Sequence, residues 1–193
     1  MDRVTNTKKT MRLLDRVVIG ILVLLAMLLA GLQAARAAEI VPSVGLTHAT
    51  DGDGGYKTFV GLAARGSVLP FVKAEVGVGY RNDPYSNGNL NVRMWPVTGS
   101  LWLTPLPMFY FGGGAGLYQT TYDYNDALGI PNETSREFGT HLGGGVTFPI
   151  VPAIASLDLN ARYVHLREKD AQVAPGSIKQ SFITTTLGVA IKF

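Results

Sequence analysis

The last eight residues, Thr186 to Phe193, alternate with a period of two and end the chain on an aromatic side chain. Leu187, Val189, Ile191 and Phe193 fall on one face of a strand; Thr186, Gly188, Ala190 and Lys192 fall on the other. A chain that stops on such a strand must provide an apolar surrounding for a whole row of side chains, the final one included. The same alternation recurs upstream. Val72, Ala74, Val76, Val78 and Tyr80 oppose Phe71, Lys73, Glu75, Gly77, Gly79 and Arg81. Leu157, Leu159, Ala161 and Tyr163 oppose Asp158, Asn160 and Arg162, and Phe138, Leu142, Val146 and Phe148 oppose Glu137, His141, Gly143 and Gly145.

These patterns predict eight strands, at roughly 39–49, 56–66, 71–82, 91–103, 108–122, 136–148, 156–167 and 181–193. The connections alternate in character. Short ones carry proline (66–70, 104–107 and 149–152), and longer polar ones lie at 50–55, 83–90, 123–135 and 168–180. Short turns at one end and polar loops at the other describe an all-β fold, an eight-stranded antiparallel up-and-down transmembrane β-barrel. An even strand number puts both ends of the barrel on the short-turn side, expected to be the periplasm. Aromatic residues support two girdles on the apolar face. Tyr80, Trp95, Phe138 and Tyr163 fall at the loop end, and Phe109, Phe148 and Phe193 at the turn end. Parity alone also admits the inverse, a soluble periplasmic lipocalin-like binder with an apolar interior.

The N-terminus favours the membrane reading. Lys8, Lys9, Arg12 and Arg16 precede an apolar run from Val17 to Leu32, and Ala35-Arg36-Ala37 follows as a small-x-small cleavage site. The expected organisation is a signal peptide over 1–37, cut after Ala37, and a barrel domain over 38–193, with Met11 as a second possible start. The run is shorter than the roughly 20 residues that span a bilayer as a helix. Residues 1–37 hold six of the 17 Lys/Arg and two of the 14 acids, so the remainder carries 11 basic and 12 acidic residues, close to neutral. That balance gives no basic patch for nucleic acid. The absence of cysteine excludes disulfides and thiolate metal sites.

The chain resembles the small outer-membrane β-barrel family that includes OmpX, OmpW and the barrel domain of OmpA. The resemblance rests on Gly112-Gly113-Gly114-Ala115-Gly116-Leu117, Phe138 to Val146, Leu157 to Tyr163, and Leu187 to Phe193. It implies an integral bacterial outer-membrane protein surrounded by outer-membrane lipid, often without enzymatic activity. It also implies that Gly188, Ile191 and Phe193 in the C-terminal strand serve as a signal to the barrel-assembly machinery. Members include adhesins, membrane-stabilising proteins and narrow channels, so the resemblance leaves function open. The expectation is a structural or adhesin-like role without catalysis, with a surface ligand engaged through the loops. The alternatives are a narrow channel for small, mainly apolar solutes and a lipid-modifying enzyme.

Parity points Arg65, Lys73, Glu75, Arg81, Glu137, His141, Asp158, Arg162 and Lys192 into the lumen, where an eight-stranded barrel has room for side chains and little else. A paired charge network that plugs the barrel is expected, with Asp158 and Lys192 meeting at the turn end of the last hairpin. Gly112, Gly114 and Gly116 would leave room for large lumenal neighbours; no helix follows, so they are not a phosphate loop. No cofactor or metal is expected. His48, His141 and His165 lack a carboxylate pattern, and Asp51-Gly52-Asp53-Gly54-Gly55 lacks the later acid that calcium requires. His165 and Ser181 approach each other across the last hairpin, but no acid is placed to orient them.

Overall fold

A computed structural model of the protein describes residues 38–50, 55–85, 90–125, 131–166 and 181–193. It contains eight strands: β1 (Ala38–Ala49), β2 (Lys57–Leu69), β3 (Val72–Tyr85), β4 (Leu90–Leu106), β5 (Phe109–Tyr124), β6 (Glu133–Val151), β7 (Ala155–Leu166) and β8 (Phe182–Lys192). Each pairs antiparallel with its neighbours in sequence, and β1 pairs with β8 to close the barrel. Closure satisfies the sheet's backbone from strand to strand and leaves no edge, which is what a β-structure needs inside a bilayer. The segment 1–37, Asp51 to Gly54 and the loop 168–180 lie outside the described residues.

The outer face is apolar. Leu46, Leu62, Leu101, Leu117, Leu142 and Leu187 are all about half exposed or more. In water such a surface would be an aggregation liability; in lipid it is the matching solvent. The girdle aromatics occupy this face. Phe138 and Trp95 are exposed at the loop end, where Trp95 packs against Tyr80 with ring centroids 4.7 Å apart, and Phe109, Phe148 and Phe193 are exposed at the turn end. Leu159 tests the assignment. It lies mid-strand on the outer face, opposite Val146 and Leu187. Leu159→Arg should cost about 2–4 kcal/mol of stability in lipid vesicles, the range for a cation at the bilayer midplane. A neutral result in urea titrations would place Leu159 away from hydrocarbon.

The turns differ from the sequence expectation. Strands were expected to stop before the proline runs, yet β2 runs on to Leu69, β4 to Leu106 and β6 to Val151. The register shifts just before each turn, at Ser67/Leu69, Leu103/Leu106 and Pro149/Val151, so bulges absorb the residues that would otherwise end the strand. Each turn then opens on a proline: Pro70, Pro107 or Pro152. Proline presets the first turn residue. The residue after Pro70 and the residue after Pro152, Phe71 and Ala153, both adopt φ of 64°. Phe71 therefore sits in the turn and is exposed, where parity had placed it on the lumenal face.

Pairing is interrupted where a proline enters the wall, between β1 and β8 at Pro42 and between β3 and β4 at Pro96. On β3 and β4, Val78 pairs with Val97 and Arg81 with Met94, but no pairing joins Gly79 to Pro96 or Tyr80 to Trp95. Pro96 has no N–H to give to the opposing strand.

Candidate functional site

The lumen divides into layers along the barrel axis. In the turn-end half, Arg65 is the centre of an ion cluster. Its Nε and one terminal nitrogen each lie 2.8 Å from Glu75 Oε2. The other terminal nitrogen donates to Asp158 Oδ2 at 3.0 Å and lies 3.6 Å from Glu39 Oε1. Lys73 Nζ donates to the same Glu39 oxygen at 2.8 Å, and Arg162 donates to Glu75 Oε1 at 2.8 Å. Arg65, Glu39, Glu75 and Asp158 are all buried. Three cations and three carboxylates thus balance.

Neutral partners hold the cluster in place. Tyr110 donates its hydroxyl to Asp158 at 2.8 Å and lies under the Arg65 guanidinium. Asn160 donates to the Tyr110 oxygen at 3.0 Å and accepts from Arg162 Nε at 2.7 Å.

Glycines make these contacts geometrically possible. Reading across neighbouring strands, Trp102 stands opposite Gly112, Gly112 opposite Gly143, and Gly143 opposite Arg162. The two glycines form a side-chain-free floor over which the fully buried Trp102 ring meets the Arg162 guanidinium, 4.9 Å from the ring centroid. The same device repeats one rung up. Ser100 stands opposite Gly114 and Gly114 opposite His141, and Ser100 Oγ lies 2.8 Å from His141 Nε2 across the gap.

The loop-end half of the lumen holds an apolar cluster flanked by buried polar and charged groups. Met94, Tyr118, Val164, Leu166 and Phe182 form a buried cluster, with Tyr118 and Phe182 edge to face. Arg81 lies over the Phe182 ring and bonds Asp83 with its Nε at 2.7 Å. Glu137 is buried and accepts from Ser135 at 3.1 Å. Between the two halves lies a space lined by Ala63, Gly77, Thr98, His141, Arg162 and Phe182.

Of the residues singled out in the sequence, Arg65, Lys73, Glu75, Asp158 and Arg162 come together in one cluster. Arg81, Glu137 and His141 also point inward but belong to other contacts. Lys192 is a correction. It is exposed at the rim, and its expected partner Asp158 stands opposite Gly188, four residues earlier in β8. Parity gave the correct side of the strand but not the height along the barrel. Glu39, Tyr110, Trp102, Ser100 and Asn160 were not among the expected network residues. Of the assembly-signal residues, Gly188 packs against Ser43 and Val41 inside the barrel, and Ile191 and Phe193 are exposed on the outside. His165 Nδ1 lies 3.2 Å from Ser181 Oγ, and among the described residues no carboxylate bonds that histidine. Among the described residues no set of three His, Asp or Glu side chains is grouped to hold a metal ion.

Comparison with known proteins agrees with this architecture. Similar solved structures include Neisserial surface protein A, with a TM-score of 0.60 at 15% identity over 81% of this chain and 96% of that one. Ail, the attachment invasion locus protein of Yersinia pestis, gives 0.55 at 12% identity over 81% and 98%. The N-terminal β-barrel domain of Pseudomonas aeruginosa OprF gives 0.52 at 12% identity over 82% and 98%. At these identities the likeness is one of fold. No curated protein sequence gives a match. Residues 21–193 match the family model described as the outer membrane protein beta-barrel domain. The chain belongs to that family and is an eight-stranded barrel of the bacterial outer membrane.

Proposed function

We propose that this protein is a closed, non-catalytic outer-membrane barrel that acts structurally and, through its loop end, as a surface-interaction protein of the adhesin type. One observation carries the reading: the Arg65 cluster occupies the turn half of the lumen with buried, mutually paired charges, and an apolar cluster together with the Arg81–Asp83 pair and Glu137 occupies the loop half. An ion crossing this interior would have to break the charge cluster and then pass the buried apolar side chains of Met94, Tyr118, Val164, Leu166 and Phe182. The lipid-exposed wall and the loops are then the surfaces left for function. Ail, whose fold is similar, has also been solved with the heparin analogue sucrose octasulfate, which supports a sulfated glycan as the first surface ligand to try.

Two measurements test this together. In planar bilayers the purified protein should give no steady conductance steps. Cells producing it should bind immobilised heparin more than cells producing a version with all four loops shortened. Steady conductance would favour the narrow-channel alternative, and equal heparin binding would remove the adhesin reading.

The same proposal has the assembly machinery read the C-terminal strand. Deleting Phe193 removes an exposed aromatic from the turn-end girdle and the N–H that donates to the Ala38 carbonyl at 3.0 Å. Heat-modifiable, folded protein in the membrane fraction should fall several-fold. Wild-type levels would show that Phe193 is not part of a signal.

A further inference from the structure

The outer wall of the barrel carries almost no fixed charge, and what it carries is gathered in one sector. Among the described residues, the Asp, Glu, Lys and Arg side chains on the outer face of the strands are Arg93, Asp123 and Arg136. They lie on consecutive strands, β4, β5 and β6, at the loop end. The register sets this sector out in rows. Val97 stands opposite Leu117 and Leu117 opposite Phe138, a row of exposed apolar side chains. In the next row toward the loops, Trp95 stands opposite Gln119 and Gln119 opposite Arg136. The row beyond brings Arg93, Thr121 and Thr134 into line. The wall therefore passes from apolar to hydrogen-bonding over a short rise, as a bilayer does between acyl chains and head groups. A cation on the lipid face is tolerated at that level and not at the midplane.

The donors of this sector are unevenly used. Arg93 forms an ion pair with Asp123. Arg136 is exposed, donates from Nε to Gln119 Oε1 at 3.1 Å, and has no carboxylate partner among the described residues. A neutral group thus holds the guanidinium plane, and the two terminal nitrogens remain as a fork that matches phosphate oxygens. In the row beyond, Thr121 Oγ1 and Thr134 Oγ1 lie 3.3 Å apart and exposed, and both hydroxyls can rotate toward one anion. Below Arg136, Leu117 and Phe138 are 62% and 63% exposed and face hydrocarbon. We infer that this strip is a binding site for a phosphate-bearing lipid of the outer leaflet. Its phosphate lies on Arg136 and the Thr121 and Thr134 hydroxyls, and an acyl chain lies along Leu117 and Phe138. Charge selects the head group. Asp123 answers Arg93, so Arg136 is the excess cation; an anionic phosphate matches it, and a zwitterionic head brings its own counter-charge. The loop end faces outward in barrels with short periplasmic turns, which fixes the leaflet. The site is on the wall and not on the loops, so it goes beyond the surface-interaction reading and does not depend on it.

The probe is bis-phosphorylated lipid A, added to the membrane-extracted protein in detergent micelles, with retained adducts counted by native mass spectrometry. It should bind saturably. Lipid A stripped of its phosphates, and phosphatidylcholine, should each bind about tenfold more weakly or worse, because the charge-assisted bonds are lost or their charge is cancelled. Inorganic phosphate at the same concentration should not displace the lipid, since it makes no contact with Leu117 or Phe138. Arg136→Gln should weaken lipid A to the level of the dephosphorylated form. Asp123→Asn should act in the opposite direction and tighten binding several-fold, because it releases Arg93. Each variant is first checked for the heat-dependent gel shift of a folded barrel, and Arg136→Thr replaces Arg136→Gln should that one fail. Parental binding in a folded Arg136 variant would overturn the inference. So would equal retention of the dephosphorylated lipid, displacement by inorganic phosphate, or weaker binding in Asp123→Asn.

Discussion

Arg65→Met should be the most destabilising single substitution of a lumenal side chain, costing about 3–5 kcal/mol, the range for removing one partner of a buried ion pair. Arg65 is the shared cation of Glu75, Asp158 and Glu39, and all three carboxylates are nearly inaccessible to water. Without it, only Arg162 remains bonded to Glu75 and only Lys73 to Glu39, while Asp158 keeps the Tyr110 hydroxyl and no cation. Replacing Asp158 by Leu in the same chain removes the charge left most exposed to this loss and should restore part of the stability. Lys192→Met, by contrast, should change little, because Lys192 is exposed and makes no ion pair among the described residues. Urea unfolding in lipid vesicles separates these outcomes. If Arg65→Met is as stable as the parent, the cluster is hydrated and its charges are individually solvated.

Gly114→Val should prevent the barrel from forming its central wall. A Cβ at Gly114 would overlap the carbonyl oxygen of Gly99 and lie 2.8 Å from Ser100 Cα. Those are backbone atoms of the paired strand, so no rotamer change relieves the contact. Overpacking in a core usually costs 1–3 kcal/mol through side-chain shifts; here β4 and β5 must separate, and a loss of about 3 kcal/mol or more is expected. The substitution also fills the floor across which Ser100 reaches His141. The readout is the fraction of protein that refolds into vesicles and shows the gel shift of a folded barrel. Gly99→Val is the control, since a Cβ at Gly99 meets nothing within 4 Å. Equal refolding of the two would show that the glycine stripe is not required for close strand approach.

The contrast between these glycines shows what the sequence could and could not reveal. Alternation with period two is a local property, so it reported correctly that Val76 and Leu159 face out and that Glu75 and Asp158 face in. Strand number followed from turn chemistry. The pairing within the lumen depends on register, a relation between strands, and bulges before all three turns shift it by amounts that no single strand records. Asp158 was matched with Lys192 because turn chemistry does not fix where the last two strands begin to pair: they pair without a bulge, as Asp158 with Gly188, and Arg65 reaches Asp158 across the lumen from a strand that is not its neighbour. Large lumenal aromatics were missed for a related reason. Girdle logic assigns aromatic residues to the outside, and Trp102 and Tyr110 look like girdle residues until Gly112, Gly143 and Gly145 are seen facing them from the neighbouring strands. The signal was in the sequence, as inward glycines on two successive strands, but it becomes readable only with the register. Glu39 was hidden by position: it opens the first strand, next to the expected cleavage site.

The Arg65 cluster also bears on the order in which the barrel is made. β1 to β3 contribute Glu39, Arg65, Lys73 and Glu75, and β7 contributes Asp158 and Arg162, so each group is neutral by itself. Neither carries an unmatched charge into the membrane before the other arrives. Closure then joins them through two crossed links, Arg65 to Asp158 over 93 residues and Arg162 to Glu75 over 87. Contacts of such long separation form late, after most of the loop-closure entropy has been lost. Interactions absent from the transition state act on the rate of leaving the native state and hardly on the rate of reaching it. The cluster is therefore a latch: Arg65→Met should insert at nearly the parental rate and come apart faster.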